Sequence, residues 1–219
     1  MENILGIYNN YNKQIKLALV FLALFGLTLV GLKNYLLFHT SVELFSIVVA
    51  SGVFIVVWNS RKFFDNDFFI FLGIAFFFIA FVDLIHTLAY SGMNIFPGYG
   101  TNTPTQLWIT LRYIMAVSFF IAPFFLNFKN KMLKTEFVFA AYSFATLIII
   151  LTIFQWEIFP TAFIQGQGLT PFKKISEYII SLIFAASIFL LFRHKKDFNK
   201  NVFNLLISSI AINILSELS

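Results

Sequence analysis

Residues 68–89 read FFIFLGIAFFFIAFVDLIHTLA. The first fifteen positions carry no charge and no proline. At 1.5 Å per residue the 22 residues reach about 33 Å as a helix, enough for a hydrocarbon core of about 30 Å. The short alternating pattern of a barrel strand is missing, and lipid cannot satisfy the backbone groups of an open strand, so the run predicts a membrane-spanning helix.

Similar runs occupy roughly 15–32, 40–59, 105–126, 136–155, 173–192 and 202–218. The fold class expected is therefore all-α integral membrane, a polytopic bundle of about seven transmembrane helices, the last one truncated. Composition agrees. The 219 residues are 59% apolar and 11% charged, with a mean hydropathy of +0.86, too much apolar surface for a soluble domain of this length to hide. The 32 phenylalanines partly reflect an overall bias toward Phe, Ile, Asn and Lys. The chain contains no cysteine, which excludes disulfides, thiolate ligands and a cysteine nucleophile, and leaves the redox compartment open. Lys13 and Lys16 beside the first run imitate a signal peptide. That run is longer than a typical h-region and further apolar segments follow it, so a retained anchor is expected.

Three connections are basic: SRKFFDND, FKNKMLK and RHKKDFNKN. With Lys13 and Lys16 they hold eleven of the fifteen Lys and Arg, namely Arg61, Lys62, Lys129, Lys131, Lys134, Arg193, Lys195, Lys196 and Lys200 besides those two. Lys33, Lys173 and Lys174 fall on the opposite side. The positive-inside rule then puts the amino terminus in the cytoplasm and the loop at 90–104 outside. The domain division expected is a cytoplasmic amino-terminal segment, 1–14, and a multi-pass membrane domain, 15–219. The end, NVFNLLISSIAINILSELS, is apolar to its last residues, which suggests a partial chain. No inverted repeat of the transporter kind is visible.

Intramembrane charges gather at one depth. Counting from the cytoplasmic start of the 68–89 helix, Asp83 lies roughly 22 Å and His86 roughly 27 Å across. Arg112 sits about 10 Å in from the external start of the next helix, and Glu43, Glu177 and Glu217 fall in the same band. Charges in lipid are costly and normally face the bundle interior in pairs. Arg112 is expected to neutralise a carboxylate, with Asp83 or Glu177 as partner. Trp108 and Arg112, four apart, suit a cation–π contact, and Asn213 and Glu217 share a face. Plainer roles compete: hydrated helix ends for Asp83 and His86, dipole partners for Glu43 and Glu177, a structural ion pair for Arg112, interface anchors for Trp58, Trp108 and Trp156. The external loops SGMNIFPGYGTNTPT and WEIFPTAFIQGQGLTPF are nearly uncharged and suit either a lid over the bundle or ordinary turns, with Pro104 and Pro171 setting helix entries. Motifs for nucleotide-dependent, hydrolytic or zinc enzymes are missing. One His with carboxylates (His86, Asp83, Glu177) could hold a divalent metal, and the sequence leaves the cofactor unknown.

Three blocks combine His, Trp, Arg, Pro and Glu unusually within apolar sequence: DLIHTLAYSGMNIFPGY (83–99), TQLWITLRYI (105–114) and GLTPFKKISEYIISL (168–182). They resemble the third class of bacterial membrane-associated sensor domains (MASE type), in order and across nearly the whole chain. The motif positions carried over are Asp83, His86, Thr87, Tyr90, Pro97, Gln106, Trp108, Arg112, Tyr113, Pro171, Glu177 and Tyr178. Relatives place a carboxylate shortly after the Arg-Tyr pair where this chain has Met115, which favours a partner for Arg112 on another helix. The resemblance implies a sensory input module in the bacterial inner membrane that regulates a cytoplasmic output domain of the same polypeptide, a histidine kinase or a diguanylate cyclase. No catalytic domain is present in these residues. The ligand-binding set expected is Asp83, His86, Tyr90, Gln106, Trp108, Arg112, Glu177, Glu43 and Glu217. The partners expected are the lipid bilayer, an unidentified small ligand and a second copy of the chain, with no nucleic acid. A small-solute or ion transporter is the rival reading, and an acid–base enzyme using Asp83 and His86 a third.

Overall fold

The punctuation between apolar runs decides where each helix stops. In the computed structural model, which describes residues 2–65, 67–127 and 133–218, helices form at α1 (Glu2–Lys33), α2 (Tyr35–Ser60), α3 (Phe68–Ala89), α4 (Asn102–Ile121), α5 (Thr135–Phe154), α6 (Pro171–Arg193) and α7 (Lys200–Glu217). A two-stranded antiparallel hairpin, β1 (Phe163–Ile164) and β2 (Gly168–Leu169), precedes α6. The side chains of Lys13 and Lys16, and Lys129 and Lys131 entirely, lie outside the described residues.

The fold is all-helical, as expected. Among the described residues, α2, α3, α4 with its extension to Asn127, α5 and α6 are long and apolar enough to cross a membrane. The crossing count of about seven is thus supported for five. α1 offers a shorter apolar stretch, Phe21–Lys33, and α7 is diluted by Asn201, Asn204, Asn213 and three serines.

The chain divides into two compact units, Met1–Glu43 and Leu44–Ser219. In the first, Asn34 separates α1 from α2. Its side-chain oxygen accepts from the Leu37 amide at 3.0 Å, occupying a donor that the start of α2 would otherwise leave bare. The Tyr35 ring lies nearly parallel to His39 at 6.1 Å, and His39 Nδ1 stands 3.7 Å from Glu43.

The second unit is organised on α3, whose buried residues run from Phe68 to Ala89 and cover most of its surface. Lipid offers no hydrophobic drive for helices to associate, so close packing and buried hydrogen bonds must hold them together. Phe68, Phe71 and Leu72 of α3 pack with Ala116 and Phe119 of α4, Ile180 and Phe184 of α6, and Phe203 and Ile210 of α7. Further along, Ala75, Ile79 and Val82 meet Leu107 and Leu111 of α4 and Ile153 of α5. Beside these, Phe54 and Trp58 of α2 meet Phe139 of α5 edge-on, at 6.0 and 5.3 Å. Gly73 permits α2 to lie against α3 here: a Cβ at that position would stand 2.5 Å from Val57 Cγ1.

Local chemistry sets the ends. Pro123 cannot donate to an α-helical ladder, and after Ile121 the chain tightens into a 3-10 turn, Ala122–Asn127. Thr170 caps α6 by accepting from the Lys173 amide at 3.3 Å, with Pro171 at the first helical position. Asp67, at the start of α3, instead accepts from the Leu133 amide at 2.8 Å, which fastens the approach to α5 onto the foot of α3. In the hairpin, Gln167 N donates to Ile164 O at 3.0 Å. Gly166 holds φ at 84° in the third position of that turn, where type II geometry favours glycine.

Candidate functional site

Three helices each contribute two residues one turn apart. Trp108 and Arg112 lie on α4, Lys173 and Glu177 on α6, Asn213 and Glu217 on α7; spacing of four puts each pair on one helix face. The faces converge. Arg112, 8% exposed, donates from Nε to Glu217 Oε1 and from Nη1 and Nη2 to the side-chain and main-chain oxygens of Asn213, the latter at 3.1 Å. Lys173 donates to Glu177. Both cations face the Trp108 ring, Lys173 Nζ at 4.5 Å and Arg112 Cζ at 5.6 Å from its centre. Phe184 lies on another side of the guanidinium at 5.7 Å.

Arg112 remains charged under all ordinary conditions, so its burial demands an anion and full use of its donors. Glu217 supplies the anion. Asn213 O and Asn213 Oδ1 take two more donors and place a positive charge on the last turn of α7, where the helix dipole is negative. Two cations and two carboxylates around one indole leave the cluster formally neutral. Glu217 Oε2 is buried and has no hydrogen-bond partner among the described residues.

The expectation that Asp83 or Glu177 would neutralise Arg112 is corrected: the partner is Glu217. α7 packs along α6, which packs on α4, and this brings the last turn of α7 to the level of Arg112, while Glu177 is engaged by the lysine one turn before it. Departure from the family pattern at Met115 did point to a partner on another helix; Arg112 Nη1 lies 4.0 Å from Met115 Sδ. Lys173 was missed as a site residue because basic residues were read for topology, although its spacing to Glu177 was visible.

The other expected residues serve the same end of the second unit. His86, 5% exposed, makes a 2.8 Å hydrogen bond from Nδ1 to Pro104 O; a carbonyl only accepts, so Nδ1 carries the proton. Thr87 donates to Asp83 O one turn back at 2.9 Å, and Asp83 itself is buried. Tyr90 closes α3, its amide donating to Thr87 O. Gln106 donates to Phe159 O and Pro160 O at 3.0 and 3.1 Å. Asn102 Oδ1 accepts from the Ala162 and Phe163 amides at 2.8 and 3.0 Å, Thr170 Oγ1 donates to Thr161 O at 2.7 Å, and Tyr99 OH donates to Phe154 O at 3.0 Å. Both nearly uncharged loops are therefore stitched to helix ends. Asp83, His86 and Glu177 do not form a group of ligand atoms at metal-binding distance among the described residues. Glu43 belongs to the first unit, beside His39.

A family model described as MASE3, membrane-associated sensor domain, matches residues 30–219. The chain belongs to this family of membrane-associated sensor domains. The match contains all three blocks on which the resemblance rests. No curated protein matches the chain, nor does any solved structure. In this sensor domain the convergent pairs on α4, α6 and α7 form a compact polar cluster set among helices apolar enough to span a bilayer.

Proposed function

We propose that the domain is the signal-input part of a bacterial inner-membrane protein, with about seven crossings, a cytoplasmic amino terminus and the cluster around Trp108 toward the external side. An unidentified small ligand or stimulus acts at this cluster and at Asp83, His86, Tyr90 and Gln106. The response shifts the packing of α6 and α7, and their cytoplasmic ends pass it to a cytoplasmic output domain, a histidine kinase or a diguanylate cyclase, in an assembly that includes a second copy of the chain. The observation that carries this reading is the three-helix convergence: α7 is tied to α4 through Arg112, Asn213 and Glu217, so a ligand that competes for these groups alters how α7 sits. Such a ligand must favour one packing over the other, because equal affinity for both transmits nothing.

The test uses the full-length protein in its own membrane. Glu217→Gln and Arg112→Lys, at matched membrane levels, are expected to change phosphotransfer or cyclic-dinucleotide output by about fivefold or more and to blunt the response. Output and response both unchanged would defeat the proposal. The transport reading is less well supported, since Phe68 to Val82 along α3, the helix on which the unit is organised, is apolar throughout and offers a solute no polar group. Solute flux in proteoliposomes would revive it.

A further inference from the structure

A cavity of about 740 Å³ opens between α4 and α5, and none of its lining residues belongs to the charge cluster. Its walls are Val117 and Ile121 of α4 and Phe137, Ala141 and Ala145 of α5, with Phe71 of α3 at the back. It exists because α5, otherwise rich in Phe, Ile and Leu, turns small in AAYSFA, residues 140–145. Ala141 and Ala145, one turn apart, leave room that larger side chains would fill. A volume of this size lies within the roughly 300–1,000 Å³ range of ligand pockets.

The polar features are few and uneven. Ser118 donates to Ile114 O, so its contact with Tyr142 at 2.6 Å is a donation from the tyrosine hydroxyl. That pair crosses from α4 to α5 beside the cavity. Thr146, 3% exposed, also lines it. Its hydroxyl has no hydrogen-bond partner among the described residues, whereas Thr87 and Thr110 satisfy theirs on the carbonyl one turn back. At the rim, where α5 begins, stands Lys134, exposed and charged. Glu136 is the acidic residue of that first turn.

We propose that this cavity holds an acyl chain of an anionic membrane phospholipid, with its phosphate at Lys134. The apolar walls fit hydrocarbon, and Lys134 at the rim fits the headgroup at the height where a spanning helix leaves the bilayer. α4 and α5 are both long and apolar enough to cross, so the surrounding bilayer supplies the occupant. The proposal is independent of the ligand assigned to the cluster around Trp108. It shares with the proposed orientation only the placement of Lys134 on the cytoplasmic face, where anionic lipids gather.

Native mass spectrometry of the full-length protein tests this after delipidation and reconstitution into nanodiscs of palmitoyl-oleoyl phosphatidylglycerol or phosphatidylcholine. One retained phosphatidylglycerol per chain is expected, preferred about fivefold over phosphatidylcholine. Lys134→Gln, at an exposed position, should abolish the preference, and Ala141→Trp should abolish retention. Ala145→Leu fills the same space more gently, and a melting temperature close to wild type identifies a folded variant. Equal retention of the two lipids by the wild type overturns the proposal. So does retention that survives in both folded cavity variants, or displacement of the phospholipid by equimolar oleate.

Discussion

Arg112 sets the terms at the scale of single residues. A guanidinium in a membrane-spanning helix cannot shed its charge, so a buried carboxylate must face it. Removing that partner leaves the charge stranded. Glu217→Ala is therefore expected to destabilise the folded domain by about 3–5 kcal/mol, seen as a lowered melting temperature in detergent. Replacing both partners by apolar residues of similar size, Arg112→Met with Glu217→Leu, should recover much of the loss, and a double variant no better than Glu217→Ala would contradict the pairing. The sequence allowed half of this to be read. Buried charge at Arg112, the ring at Trp108 and the shared face of Asn213 and Glu217 all follow from spacing and the cost of charge in lipid. Their meeting does not. Which carboxylate reaches Arg112 depends on how far α7 runs beside α6, a tertiary fact without a local signature. Lys173 escaped for a different reason: one basic residue near a helix start is equally good evidence for topology and for pairing.

At the scale of elements, helix positions followed closely from apolar runs, because a segment in lipid must satisfy its own backbone and has few alternatives. The ends were harder. α4 begins at Asn102, before the apolar run, and gives way to a 3-10 turn at Pro123; the hairpin at 163–169 was not anticipated, as two-residue strands leave no periodicity. The packing contacts give two tests. Gly73→Ala places a methyl within 3 Å of Val57 Cγ1 and Cβ, and the Cβ is fixed by the α2 backbone. The cost expected is about 1–3 kcal/mol, measured by thermal unfolding, with no change at the distant cluster. Asn102→Ala strips the acceptor from two loop amides. Hydrogen exchange at Ala162 and Phe163 should rise by one to two orders of magnitude, in line with a loss of about 1–3 kcal/mol. Unaltered protection would show that the loop is held by other means.

For the whole molecule, the chain's lack of cysteine turns orientation into a clean measurement. Gly98→Cys, in the loop between α3 and α4, should react with a membrane-impermeant maleimide added to intact cells. Lys62→Cys and Lys196→Cys should react only after permeabilisation. The reverse pattern would invert the proposed topology and move the cluster around Trp108 to the cytoplasmic side. Gly98 has open space around the position a Cβ would take, but its φ of 93° disfavours an L side chain, so Gly100→Cys, also with open space and without that restriction, is the matched control.

The bond between Asn102 and the hairpin has a mechanical corollary. One side-chain oxygen in the first turn of α4 receives two successive amides of the 155–170 loop, and Gln106, one turn later, grips the same loop at Phe159 and Pro160. With two anchors a turn apart on one rod, the loop is carried as a lever arm when α4 tilts or rotates. A small rotation near Arg112 would sweep a larger arc at the hairpin tip, so a fluorophore at Gln165 would act as a gauge of α4 without touching the charged groups.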